Sequence, residues 1–146
     1  MNKIYWIYII DNTGATIFSY ESPIQGVSGI NSTLVSHFIY ALQAVGKNLE
    51  EDEIKAVDLG NNKYFITKEK FTSYLFIIKT SPDTQSSLIN PLLKNIRNKF
   101  AELFTGHFNL DVNQKVEILK SFETYVKGIL EGKTHINNLI KALSSD

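Results

Sequence analysis

Three histidines, one run of carboxylates and one glycine-flanked turn are the parts of this sequence whose residue types could do chemistry. His37, His107 and His135 are the candidates for proton transfer or metal ligation. They are scattered, and the two-histidine helix pattern of zinc proteases is absent. His37 stands beside Phe38 in a predicted helix, where a packing or surface role accounts for it. His107 falls at a helix end, where a cation complements the macrodipole. Gly26-Val27-Ser28-Gly29 precedes a helix, the layout of a phosphate-binding turn. No Lys-Ser/Thr pair follows it, and the strand before it reads as an antiparallel edge strand, so loop punctuation explains the two glycines. Glu50-Glu51-Asp52-Glu53 is a run of like charges, which is the pattern of a solvated connector. An acid–base carboxylate pair would need two environments that pull their pKa values apart. There is no Gly-x-Ser-x-Gly elbow and no cysteine, which excludes that serine nucleophile, disulfides and thiolate metal sites. The residues therefore predict a protein that is not an enzyme and that uses no metal or cofactor.

The bulk composition narrows the partners. Fifteen basic and fifteen acidic residues cancel over 146 residues. A nucleic-acid binder needs a basic surplus, so no nucleic acid is expected. Only one basic residue, Arg97, is an arginine, and bidentate phosphate clamps are correspondingly scarce. Nine Phe, seven Tyr and one Trp could stack bases, but most fall at positions that face a core. The apolar N-terminal run is too short to span a bilayer and lacks a small-residue cleavage site, which predicts a cytoplasmic protein.

The elements follow from periodicity. Ile4 to Ile10 is apolar on both alternating faces, the mark of a strand covered on both sides. Asp11-Asn12-Thr13-Gly14 is a turn, and Ala15 to Glu21 is a more polar edge strand. Ser22 to Gly29 is a loop. A helix capped by Asn31 or Ser32 then shows Leu34, Val35, Phe38, Ile39, Leu42 and Val45 at three–four spacing and ends at Gly46. Three strands follow: Ile54 to Leu59, Lys63 to Thr67, and Phe71 to Thr80. The last is also apolar on both faces around Tyr74 to Ile78. Two double-sided strands in one small sheet should be central neighbours, which predicts the strand order 2-1-5-4-3. From Asp83 the chain turns helical, and Pro91 either kinks one helix or separates a first turn from a fresh helix. The stripe Leu92, Leu93, Ile96, Phe100, Leu103 and Phe104 leads to a break at Gly106. Asp111 caps a further helix whose apolar face holds Val116, Leu119, Phe122, Val126, Ile129 and Leu130. Gly132 is expected to stop it, with a short terminal helix from Ile136 to Leu143. No composition shift marks a linker, so a single domain over 1–146 is expected, with 111–146 as a helical extension.

This order of hairpin, helix, three-strand meander and long helices resembles the longin fold across the whole chain. Within longin-like proteins the C-terminal half is most similar to the small (sigma) subunits of clathrin adaptors. Phe104 ends a helix, Leu110-Asp111 closes the break after it, and Leu130-Glu131-Gly132 stands where that family ends its next helix. Thr124-Tyr125 replaces the family's Asp-Glu pair, and the closing glycine comes about two residues late. The resemblance implies an α/β domain of the α+β kind. A five-stranded antiparallel sheet would carry one helix on one face and two or more on the other. It also implies a non-catalytic protein-interaction module of a membrane-trafficking or small-GTPase-regulating assembly. Its partners would be a small GTPase or another longin- or roadblock-type chain, in a homo- or heterodimer, with membrane contact indirect or peripheral. An open sheet edge can add a partner's strand. The expected contact surface is the edge strand with the adjoining helix: Tyr40, Ile54, Val57 and Leu59. The related profilin-like and PAS-like sheets imply an alternative, a small-molecule sensor with an internal pocket.

Overall fold

A computed structural model describes residues 4–21, 43–50, 52–104 and 111–144, with side chains as far as residue 130. Its strands are β1 (Ile4–Ile10), β2 (Thr16–Glu21), β3 (Ile54–Leu59), β4 (Asn62–Lys68) and β5 (Leu75–Thr80); its long helices are α1 (Ser86–Phe104) and α2 (Val112–Ser144). Residues 43–46 are helical, and the rest of the helix expected before Gly46 lies outside the described residues. The fold is α+β, with one antiparallel sheet in the order β2-β1-β5-β4-β3. The chain divides into two compact units, Met1–Asn98 and Lys99–Asp146.

In the first unit, β1 and β5 lie side by side because each has two apolar faces to cover. Ile7 stands opposite Ile78, and Tyr8 opposite Ile77. One face gathers Trp6, Tyr8, Ile10, Tyr64, Ile66, Leu75 and Ile77 with Leu49, and Val45, Val57 and Leu59 pack at its margin. The Trp6 and Tyr8 rings lie 4.3 Å apart, and Tyr64 stands 5.8 Å from Trp6. The helical end reaches this face through Gly46: a Cβ there would sit 2.6 Å from both Leu75 methyls, so any larger residue would have to push Leu75 aside. The opposite face carries Ile7, Ile9, Phe65, Phe76 and Ile78, all fully buried. It also carries Thr67, which is bonded to Arg97 of α1, so α1 runs over this face.

The β1–β2 turn is held by one carboxylate. Asp11 Oδ1 accepts from the Thr13 amide at 2.9 Å, the Thr13 hydroxyl at 2.6 Å and the Ala15 amide at 3.0 Å. The β3–β4 link is a two-residue turn, Gly60-Asn61, with φ 62° at Gly60. That is the first central position of a hairpin turn, where glycine alone is unstrained.

α1 is one helix with Pro91 inside it. An interior proline costs roughly 3 kcal/mol through the lost N–H and the clash behind it. Ile89, Leu93 and Ile96 are fully buried on either side of it. At about 1.5–3 kcal/mol each they offset that cost and keep the helix continuous.

In the second unit, Asp111 caps α2 as expected. Its carboxylate accepts from the Gln114 amide at 2.8 Å, and the Gln114 side chain accepts from the Asp111 amide at 3.1 Å, a reciprocal capping box. Phe122 packs edge-on against Phe100 and Phe104. Val116 and Leu119, placed on the apolar face by periodicity, are exposed.

Two element boundaries differ most from the expected ones. α2 runs through Gly132 to Ser144, where a stop and a separate terminal helix were expected. A glycine costs a helix interior only about 1 kcal/mol relative to alanine, and the flanking Leu130, Glu131 and Lys133 are strong helix formers. The last strand begins at Leu75, where Phe71 was expected, because a buried carboxylate holds Phe71 to Tyr74 in a loop.

Candidate functional site

That carboxylate is Glu69, which is 4% exposed. Its Oε1 accepts from the Phe71 amide at 3.1 Å, and its Oε2 from the Thr72 amide at 2.7 Å and the Thr72 hydroxyl at 2.6 Å. Its backbone accepts from Ser73 N and donates to Tyr74 O. Ser73 takes φ 62° as a result. Phe71 is thereby carried on the outside of a braced loop, 70% exposed, with the Lys70 ammonium 5.0 Å from its ring centre.

Burial raises the Glu69 carboxyl, but the Thr72 hydroxyl, the Phe71 and Thr72 amides and the Arg97 charge outweigh it, so its pKa falls below the ordinary 4.5. A depressed carboxyl gives stability that is present above its unfolded pKa and is lost as pH falls through its folded one. Glu69→Gln is therefore expected to cost about 1–3 kcal/mol at neutral pH. The difference from wild type should shrink as pH drops below about 4.5, which urea unfolding at a series of pH values will read.

On the neighbouring strand, β3 pairs with β4 and has no strand on its other side among the described residues. Lys55, Ala56 and Asp58 are exposed, and Ile54, Val57 and Leu59 are half-buried. Strand alternation separates the expected contact residues. Val57 stands opposite Tyr64 and packs with Leu59 toward the Trp6 cluster. Ile54 stands opposite Thr67, on the α1 face. The edge thus offers a backbone and a few polar side chains, with its apolar groups turned to opposite sides. Tyr40 lies outside the described residues, as do His37, His107 and the Gly26–Gly29 turn; His135 falls within α2.

The start of β3 is anchored by the only arginine. Arg97 Nη1 donates to Thr67 Oγ1 at 3.0 Å, and Nη2 donates to Asp52 Oδ1 at 2.9 Å. Thr67, itself fully buried, donates to the Glu53 carbonyl at 3.0 Å. Asp52 has φ 62°, which aspartate tolerates better than most residues. The acidic connector is therefore more than a solvated run: Asp52 is a tether, and Glu53 Oε1 accepts from the Glu50 amide. The signal for this was present. Arg97 follows Leu93 by four residues, so a charge sits on the buried stripe of α1 and needs a partner there.

A cavity of about 210 Å³ opens at the same end of the sheet, lined by Asp11, Asn12, Gln43, Gly46, Lys47, Lys68, Ser73 and Leu75. Its walls come from three separate segments, none of which forms a motif, so no pattern in the sequence announces it. Among the described residues no group of three His, Cys, Asp or Glu side chains could hold a metal ion. Among them, too, no helix is long and apolar enough to cross a membrane. No protein-family model matches the chain, and no curated protein matches it.

Proposed function

We propose that this chain is a non-catalytic, longin-like protein-interaction module of a membrane-trafficking or small-GTPase-regulating assembly. The observation that carries the reading is the sheet order β2-β1-β5-β4-β3, double-sided at its centre and ending on β3, which is paired on one side. A partner strand added to β3 would gain main-chain hydrogen bonds, with Lys55 and Asp58 setting charge preference. Arg97 and Asp52 fix the entry to that strand, so the edge is preorganised and loses little freedom on binding. The partner is a small GTPase or a second longin- or roadblock-type chain, and membrane contact comes through the assembly or peripherally. The sensor alternative calls for an internal cavity. The centres of β1, β4 and β5 are filled on both faces, and the 210 Å³ cavity at the sheet's end is below the usual range for ligand pockets of about 300–1,000 Å³.

The test is an amide NMR titration with purified small GTPases in both nucleotide states and with longin- and roadblock-type chains. Saturable shifts should centre on Lys55 to Asp58. The double charge reversal Lys55→Glu/Asp58→Lys should weaken binding roughly tenfold, the scale of a few rim charges acting together. Binding that leaves β3 unperturbed, or no binding by either class, would refute the proposal.

A further inference from the structure

We infer that the cavity between the β1–β2 turn, the helical end at 43–47 and the β4–β5 loop binds a small oxyanion, a carboxylate or phosphate group, between Lys47 and Lys68. The inference is independent of the interaction-module reading and survives its failure.

Lys47, Lys68, Asn12, Gln43 and Ser73 are among the lining residues, and their side chains carry two ammonium groups, two amides and a hydroxyl. The lining has one carboxylate, Asp11, and the three donors of its own turn already occupy that group's Oδ1. The carbonyls at the helical end are engaged as well. Gln43 O accepts from Lys47 N, Val45 O from Asn48 N, and Gly46 O from Leu49 N. Against two lysines the lining thus sets a single carboxylate, one oxygen of which is already engaged by its own turn. Among the described residues neither Lys47 nor Lys68 has an ion-pair partner. In the nearby connector, Asp52 is held by Arg97, and Glu53 accepts from the Glu50 amide. The lining residues are left with two ammonium groups against one carboxylate, a positive excess, and that is the chemistry that recognises an oxyanion.

The walls are also fixed before any ligand arrives. Glu69 braces the loop that holds Ser73 at φ 62°, and a non-glycine residue kept in that region is a position the surrounding structure over-determines. Gly46 lets the helical end rest on Leu75, which closes the floor. The volume suits a ligand of only a few heavy atoms, such as inorganic phosphate or a short dicarboxylate.

The experiment titrates the full chain with inorganic phosphate and, separately, with succinate. Sodium chloride at matched ionic strength is the control, and the readout is amide NMR. Saturable shifts are expected in the side-chain amides of Asn12 and Gln43 and the backbone amides of Lys47, Lys68 and Ser73, with none from chloride. Lys47→Ala and Lys68→Ala should each weaken binding roughly tenfold, as loss of a charged hydrogen bond does. Lys47 is exposed and Lys68 half-buried, and an unchanged spectrum away from the site will confirm that each variant is folded. A response to phosphate alone identifies a phosphoryl ligand, to succinate alone a carboxylate, and to both a site that reads charge. The inference falls if neither anion gives saturable shifts, if chloride reproduces them, or if pocket-confined shifts persist unweakened in both variants.

Discussion

Ile7→Asn is expected to leave the first unit unfolded or nearly so, with a loss of about 4 kcal/mol or more. Ile7 is fully buried in the second position in from the sheet's edge, opposite Tyr20 of β2 and Ile78 of β5. Its backbone groups are used by the sheet, so a side-chain amide there would find no donor or acceptor. Burying an unpaired amide costs roughly 1–3 kcal/mol by mutational measures, and the lost apolar burial adds about 1.5–3 kcal/mol. A domain with total stability of about 5–15 kcal/mol does not absorb that easily. Ile7→Val removes one methylene from the same place and should cost only about 0.5–1.5 kcal/mol. Urea unfolding of the pair measures both values. Similar midpoints for the two variants would mean that β1 is not the covered centre of the sheet.

The second large effect is expected at Arg97, where alanine should cost about 3 kcal/mol. The substitution removes a buried stem from the stripe of α1 and takes a donor from both Thr67 and Asp52. Asp52 is 71% exposed on its side chain, so solvent screens much of the Coulomb attraction, and the pair is not worth a fully buried ion pair. What matters is the guanidinium, 8% exposed, which needs its acceptors. Asp52→Asn keeps a residue suited to φ 62° and withdraws the charge, at an expected cost of about 1–2 kcal/mol. Lysine at 97 should not restore wild-type stability, because a single ammonium cannot reproduce the fork that reaches Thr67 and Asp52 together. A double-mutant cycle of Arg97→Ala with Asp52→Asn decides the point: the combined loss should fall short of the sum by about 1 kcal/mol. Strict additivity would show that the contact contributes nothing.

The sheet was readable from pattern because its strands differ in kind. β1 and β5 have no polar face, so both had to be central, and the order of all five strands followed. The bounds of β3 were legible for a similar reason, since a turn signal stands on each side of it. The first residues of the expected last strand were not. Phe71 and Thr72 favour strands by type, and only the buried carboxylate of Glu69, two and three residues earlier, diverts their amides into a loop. Local side-chain competition of that sort leaves no periodic trace. Gly132 does not stop α2, because a glycine ends a helix only when its neighbours favour leaving it. At the edge strand, the expected contact residues were chosen by type and not by parity. Ile54 and Val57 are an odd number of residues apart and so must face opposite ways. The cavity was beyond pattern altogether, since it depends on which segments meet at the sheet's end.

Trp6 is the single tryptophan of the chain, and it is buried in the first unit between Tyr8 and Tyr64. The molecule therefore carries its own optical reporter, and that reporter watches only the sheet. Its emission will be blue-shifted in the native state and will move to the red when water reaches the indole. The 33-residue α2 lies in the other unit, and its helical signal will weigh heavily in the far-ultraviolet circular dichroism. Two unlabelled signals thus follow two parts of one chain, and whether they change together on heating measures how far the two units melt as one.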